Sequence, residues 1–158
     1  MALISAADQE RLRESFAEMA RPVRLLFFTQ TLDCETCLQT RQILDELPLL
    51  SDNITIEEVN FILDGDRARE YGIERVPAIA LAYEDAGPGV ILQGAGAPGV
   101  IKDSRIRFLG TPAGYEFISL VQAILLVGGR ESILSVDNLA RVTAVARPVT
   151  IQVFTTPS

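Results

Sequence analysis

Histidine is missing from all 158 residues. Its absence removes Ser-His and Cys-His catalytic pairs and every metal site that needs an imidazole ligand. Cysteine is nearly missing too, with one pair at positions 34 and 37. A secreted disulfide scaffold carries more cysteines and spaces them more widely. Positive charge is in deficit: 14 Lys and Arg against 21 Asp and Glu leave a formal net charge of −7. A nucleic-acid partner needs phosphate-neutralising cations, so no nucleic acid is expected. Long apolar runs are also absent. The most apolar stretch, Phe117 to Gly128, is too short to span a bilayer. The opening MALISAADQERLRES has no apolar h-region and turns acidic at once, unlike a signal peptide. These absences lead to the expectation of a cytoplasmic protein with no membrane partner. What is present is apolar bulk, 48% of residues, enough for one domain with a real core.

The apolar pattern alternates between two periods. Leu12, Phe16 and Met19 fall on one face of a helix expected over Ser5 to Ala20, capped by Ser5 and broken by Pro22. Val23 to Phe28 is nearly continuous apolar sequence, as in a buried strand. A polar turn, Thr29 to Asp33, leads to a helix expected from about Cys34 to Leu47, ended by Pro48. Its stripe is Cys37, Leu44 and Leu47, with Ile43 beside it. Ile54 to Val59 reads as a strand, Asp64 to Tyr71 as a short helix stopped by Gly72, and Ala78 to Tyr83 as a strand. Arg105 to Leu109 alternates as a half-wet strand does. A helix over about Ala113 to Val127 presents Phe117, Leu120, Val121, Ile124 and Leu125, and Gly128-Gly129 ends it. A further helix is expected over about Val136 to Ala146, then a strand over Thr150 to Phe154. The first β-α-β unit implies parallel strands with a right-handed crossover, and the last two strands of the sheet should pair antiparallel. The fold class is therefore α/β, a sandwich with a small mixed β-sheet flanked by helices.

Gly94-Ala-Gly96-Ala-Pro-Gly99 fits the dinucleotide fingerprint G-x-G-x-x-G. Pro98 interrupts it, no long amphipathic helix follows, and the acidic residue expected about 20 positions on is missing. It reads as part of a loop over Glu84 to Ser104, with no cofactor. The chemistry lies elsewhere, in Cys34-Glu35-Thr36-Cys37. This pair follows a strand and opens a helix, the context in which C-x-x-C reads as a thioredoxin-like redox motif. Free amides at the helix N-terminus favour a thiolate at Cys34. Cys34 would attack a disulfide, and Cys37 would resolve the mixed disulfide. Asp33 and Glu35 oppose the thiolate with like charge, and Arg41, two turns along, is a candidate counter-charge. A pair of this kind suits a reductant or isomerase better than a strong oxidant. Two other readings stay open: half of a zinc site completed by a second chain, or a purely structural pair. Val76-Pro77, just before a strand, adds to the redox reading. A cis proline there would set backbone groups beside the cysteines for a substrate chain to pair with. Glu35, Thr36, Val76 and Pro77 then line the expected substrate groove.

Three stretches, LLFFTQTLDCETC, ERVPAIAL and RFLGTPAGYEFISLVQAI, resemble the glutaredoxin-like protein disulfide oxidoreductases. In that family two thioredoxin-fold units lie in tandem. The turn from Gly110 to Phe117 is the most family-specific of these matches. The resemblance implies a thioredoxin-like fold and dithiol-disulfide exchange on protein disulfides through Cys34 and Cys37. It further implies no cofactor, no metal, and electrons from a thioredoxin-reductase-like partner. It also accounts for an internal echo: RPVTIQVFTTPS, from Arg147, repeats RPVRLLFFTQTL, from Arg21. On this reading residues 1–130 form one unit, 131–147 a linker helix, and 148–158 the start of a second unit that is cut short. A lone tail strand would pair with other chains, so homo-oligomers through 148–158 are expected. The alternative function is a docking or electron-relay unit. It would pass electrons between a flavin reductase and another thiol enzyme, as the tandem domain of alkyl hydroperoxide reductases does.

Overall fold

A computed structural model describes residues 4–85 and 99–155. Nine elements follow in order: α1 (Ala6–Phe16), β1 (Val23–Thr29), α2 (Cys37–Asp45), β2 (Ile54–Asn60), α3 (Gly65–Glu70), β3 (Ala78–Asp85), β4 (Val100–Leu109), α4 (Tyr115–Val127) and α5 (Val136–Thr143). Four strands form one sheet in the order β2-β1-β3-β4. β1 and β2 run parallel, and β3 is antiparallel to both β1 and β4. This is the mixed α/β sandwich expected from the apolar periods.

Strand β1 is apolar along its length because it is covered on both faces. Val23, Leu25 and Phe27 enter one core with Phe16, Leu44, Leu47, Leu120 and Ile124. Leu26 and Phe28 enter a second core with Val59, Ala68, Tyr71 and Ile73. Helices α1, α2 and α4 therefore cover one face and α3 the other. Arg24, on the α3 side, reaches Glu57 on β2 and Glu84 on β3, each at 3.0 Å. Burial pushes its pKa down, but the hydrogen bonds and charges of the two carboxylates outweigh burial and carry it up. One ion pair network thus ties three strands together.

Several boundaries differ from the sequence reading. Helix α1 is capped as expected, with Ser5 Oγ accepting from the Asp8 N–H at 3.2 Å. It stops at Phe16, short of Ala20. The Ala20 and Arg21 N–H groups instead both donate to the Gly128 carbonyl, which brings Met19 against the end of α4. Strand β4 starts at Val100, so the wet strand is twice as long as expected and the loop is shorter at both ends. Within it Arg105 takes a φ of 64°, and the β3–β4 register shifts between Ala80 and Ala82. This bulge hides the alternation that would have marked a strand through residues 100–104. Ser104 fills the gap by donating to the Leu81 carbonyl at 2.6 Å. Arg107 then grips both carboxylate oxygens of Asp103, at 2.8 and 2.6 Å, and donates to the Tyr71 carbonyl at 2.9 Å. Burial pushes the Asp103 carboxyl up. The bonds from Arg107 and the Arg105 N–H, with both arginine charges, outweigh it and hold that carboxyl below its usual range. The glycine-rich motif lies outside the described residues except for Gly99.

Every residue from 131 to 155 is exposed. Helix α5 is capped by Ser135 yet buries no side chain, leaving Val136, Leu139 and Val142 in solvent. The strand expected over Thr150 to Phe154 is not formed. A strand needs a neighbour to take its backbone hydrogen bonds, and no described residue pairs with this one. Among the described residues, no helix is long and apolar enough to cross a membrane.

Candidate active site

The two ends of the sheet are not equivalent. At the end where β1 and β2 finish and β3 begins, three loops meet. Phe28 lies opposite Ala78 and Thr29 opposite Asn60, so the cysteine loop, the β2–α3 loop and Pro77 all leave from one edge. The Phe61 N–H donates to the Thr29 carbonyl at 2.8 Å, fixing the second loop beside the first.

Between β1 and α2 the chain must turn within a few residues. Asp33 does so with a φ of 56°, a left-handed conformation that Asp tolerates better than most side chains. Gln30 Nε2 spans the turn to the Asp33 carbonyl at 3.4 Å. Helix α2 then begins at Cys37, three residues later than the sequence reading placed it, with Thr36 as its N-cap. Thr36 makes no side-chain cap bond, and no acidic residue lies in the first turn. The first-turn amides are therefore not neutralised by a capping side chain.

Cys34 and Cys37 are joined in a disulfide with their Cα atoms 5.5 Å apart. The bond holds the Cys34 sulfur next to that of Cys37, the first helical residue. Once the bond opens, a thiolate on Cys34 lies in the positive field of the helix N-terminus. Exposure divides the two roles. Cys34 is half-buried, whereas Cys37 is 5% exposed and faces the core. Only Cys34 is open to an incoming partner. Glu35 and Thr36 are exposed between them. Exposed Leu32 and Leu38 flank the pair, and Ile62 and Leu63 extend the apolar surface along the adjoining loop. An open groove of about 550 Å³ lies further along that loop, lined by residues 62–70 apart from Ala68, and neither cysteine lines it.

The Val76–Pro77 bond is cis. Val76 is half-buried and Pro77 buried. The Pro77 carbonyl accepts from the Gly110 N–H at 2.8 Å, at the point where β4 gives way to the turn before α4. Arg41 does not serve the cysteines as a counter-charge. Its guanidinium is engaged by Asp45, at 3.3 Å, and by Glu58. Side-chain geometry decided this: Asp45 lies one turn further along the same helix face, and Glu58 on β2 is within reach.

Two residues escaped the sequence reading. Thr40 is fully buried on the inner face of α2. Its hydroxyl donates to the Thr36 carbonyl at 2.9 Å and lies 2.8 Å from the hydroxyl of Thr111. A signal was available, because positions 37, 40, 44 and 47 form a single helical stripe and Thr40 is its one polar member. Thr111 stands inside the Gly110–Phe117 turn already singled out, without a role attached to it.

The fold has counterparts of known structure. The chain superposes on the NTD_N/C domain of the alkylhydroperoxide reductase AhpF of Enterococcus faecalis with a TM-score of 0.72 and 26% identity. That match covers 89% of this chain and 60% of the other. A protein disulfide oxidoreductase from Aeropyrum pernix gives a TM-score of 0.67 and 25% identity, over 89% of this chain and 54% of that one. The chain has a thioredoxin-like α/β fold. No family model matches the sequence, and no curated protein matches it. This thioredoxin-fold chain spans 60% or less of the length of the two structures it resembles. Its Cys34–Cys37 pair occupies the β1–α2 junction, where a thiol gains most from a helix N-terminus.

Proposed function

We propose that this chain exchanges dithiols for disulfides in proteins, with Cys34 as nucleophile and Cys37 as resolving thiol. The observation that carries the reading is the disulfide at the N-terminus of α2, with one sulfur accessible and the other facing the core. In the reducing direction, the Cys34 thiolate attacks one sulfur of the substrate disulfide. A Cys34–substrate bond forms, and the second substrate sulfur leaves as a thiolate that takes up a proton. The Cys37 thiol loses its proton and attacks the Cys34 sulfur. The Cys34–Cys37 bond forms, the first substrate sulfur leaves, and two electrons have passed to the substrate. A dithiol of a partner reductase, of the thioredoxin-reductase kind, returns the pair to its reduced form by the same two steps in reverse. Glu35, Thr36, Val76 and Pro77 border the groove in which the substrate chain lies, with Leu32 and Leu38 giving it apolar contact. No cofactor or metal enters these steps. The reading places the protein in the cytoplasm, where such pairs cycle and do not persist as structural bridges.

A second reading has its own support. The likeness to a domain of an alkylhydroperoxide reductase and the acidic flanks Asp33 and Glu35 favour an electron relay that docks to one fixed partner. The equilibrium redox midpoint of Cys34–Cys37 tests whether the pair can exchange at all. It would be poised with dithiothreitol or glutathione and read by mass spectrometry after alkylation. We expect a midpoint between roughly −180 and −270 mV, the range of exchange proteins. A pair that stays oxidised below roughly −300 mV behaves as a structural bridge and sinks the exchange reading.

Residues 1–130 are proposed as the thioredoxin-fold unit, 131–147 as a linker helix, and 148–158 as the beginning of a second unit. The support is side-chain order. Val149, Ile151 and Val153 repeat the spacing of Val23, Leu25 and Phe27, which fill the first core, and Phe154 repeats Phe28. Here the repeated set is exposed, Phe154 at 89%. Apolar residues of alternating period in solvent favour pairing with another chain, so the tail is proposed to join copies of this protein. Light scattering on the full chain and on one ending at Arg147 tests this. The full chain should show a larger, concentration-dependent mass, and equal masses per chain would reject the tail as the contact.

A further inference from the structure

The hydroxyls of buried Thr40 and half-buried Thr111 have no part in the exchange steps above, yet they stand between the two halves of the site. The direction of their hydrogen bonds follows from elementary bookkeeping. A carbonyl only accepts, so the Thr40 hydroxyl spends its one proton on the Thr36 carbonyl, 2.9 Å away. The 2.8 Å contact with Thr111 then leaves only one arrangement: the Thr111 O–H donates and Thr40 Oγ1 accepts. The bond from Thr40 to the carbonyl four residues back is common for threonine in helices. The bond from Thr111 is not local, since it joins α2 to the turn before α4 across 71 positions.

That turn holds a second contact. Gly110, adjacent to Thr111, donates its N–H to the Pro77 carbonyl at 2.8 Å. The turn itself is tightly specified. Gly110 has a φ of 107° and Gly114 a φ of 58°, the Ala113 N–H bonds the Thr111 carbonyl at 2.9 Å, and Pro112 is buried. Two adjacent residues of one constrained turn thus grip the peptide between the cysteines on one side and the start of β3 on the other. The linked groups run from the Thr36 carbonyl through Thr40, Thr111 and Gly110 to the Pro77 carbonyl.

We propose that Thr111 is a positioning residue, which through Thr40 fixes the peptide between Cys34 and Cys37 and through its neighbour Gly110 sets the distance from the disulfide to Val76-Pro77. Two consequences follow. The Thr36 carbonyl is held in the conformation found with the disulfide closed, so the clamp raises the effective concentration of one cysteine at the other. Resting on the exchange reading, the clamp also keeps the substrate's sulfur and its backbone in register, since one meets Cys34 and the other meets Val76. Small disulfides, which touch only the sulfurs, depend on it less.

The test uses the full chain with Thr111→Val, which keeps the shape and removes the hydroxyl, and Thr111→Ser, which restores it. The first readout is the thiol-disulfide equilibrium constant against dithiothreitol. Thr111→Val should shift it about threefold or more toward the dithiol, and Thr111→Ser should return it to within a factor of about 1.5 of the parent. A hydroxyl that serves only general stability would lower the melting temperature and leave this constant unmoved. The second readout compares reduction of insulin with reduction of 5,5′-dithiobis(2-nitrobenzoate). The insulin rate should fall about tenfold and the small-disulfide rate by less, changing their ratio about fivefold. An unmoved equilibrium constant overturns the clamp whatever the insulin assay gives. A shifted constant with an unchanged ratio overturns the link to Val76. Failure of the unmutated chain to reduce insulin counts against the exchange reading alone, because the equilibrium constant still decides the clamp.

Discussion

Cys34→Ser is expected to reduce disulfide exchange to the background rate of the reductant alone. Oxygen does not form a stable bond to the substrate sulfur, and a serine hydroxyl stays protonated in the field that would ionise a thiol. Cys37 offers no substitute, because at 5% exposure its sulfur faces the core and a polypeptide disulfide has no path to it. The partner substitution gives a different outcome. Cys37→Ser leaves the nucleophile intact and removes the resolving step, so the protein should accumulate as a mixed disulfide with its substrate. Neither change should unfold the chain. The bridge spans a separation of only three residues, and a loop that short restricts the unfolded chain by about 2 kcal/mol at most. The measurement is insulin reduction by dithiothreitol, with non-reducing gels and mass spectrometry for the trapped adduct. Retained catalysis by Cys34→Ser would refute the assignment of roles, and so would an adduct trapped on Cys37 in that variant.

Strands β1, β2 and β3 were legible because apolar residues run through most of the length of each. Val23 to Phe28 reads as buried on both faces, and it is; Ile54, Ala78 and the helix after Gly114 begin within two residues of where their apolar patterns place them. The start of α2 was not legible. Cys34, Glu35 and Thr36 carry no breaker, and the helix is delayed by a left-handed Asp33 whose conformation is set by the turn out of β1. Strand β4 was read at half its length because the bulge at Ser104 and Arg105 breaks the alternation. The cysteines were legible from spacing and from the strand before them. The burial of Thr40 could be read from its helical stripe, but its contact with Thr111 could not, because 71 positions separate them and nothing local to either predicts that their hydroxyls meet. The tail shows the opposite failure. Its side chains specify a strand, but a strand also requires a neighbour, and that requirement is not written in the segment itself.

Phe27→Ala should destabilise the protein more than any substitution at the cysteines or at Thr111. Phe27 is 1% exposed and sits at the centre of β1, opposite Ile79 on β3 and Glu58 on β2. It packs in the cluster that holds α1, α2 and α4 to the sheet through Phe16, Leu44 and Leu120. Removing the ring leaves a cavity that the surrounding strands cannot collapse into, because β1 is bonded on both edges. Such losses run to about 3–5 kcal/mol, against a total stability of about 5–15 kcal/mol for a domain. Urea unfolding should therefore show a much lower midpoint with an unchanged slope. Phe154→Ala is the matched control. Its ring is 89% exposed, and the stability should change by no more than about 0.5 kcal/mol. The pair also tests how β1 serves the site. The strand delivers the cysteine loop to the sheet edge, but Phe27 itself points into the core two residues before the loop begins. Its loss should lower exchange only in proportion to the folded fraction. If Phe27→Ala keeps its urea midpoint yet loses exchange, β1 is not acting as a passive support and the core beneath the cysteines tunes their chemistry directly.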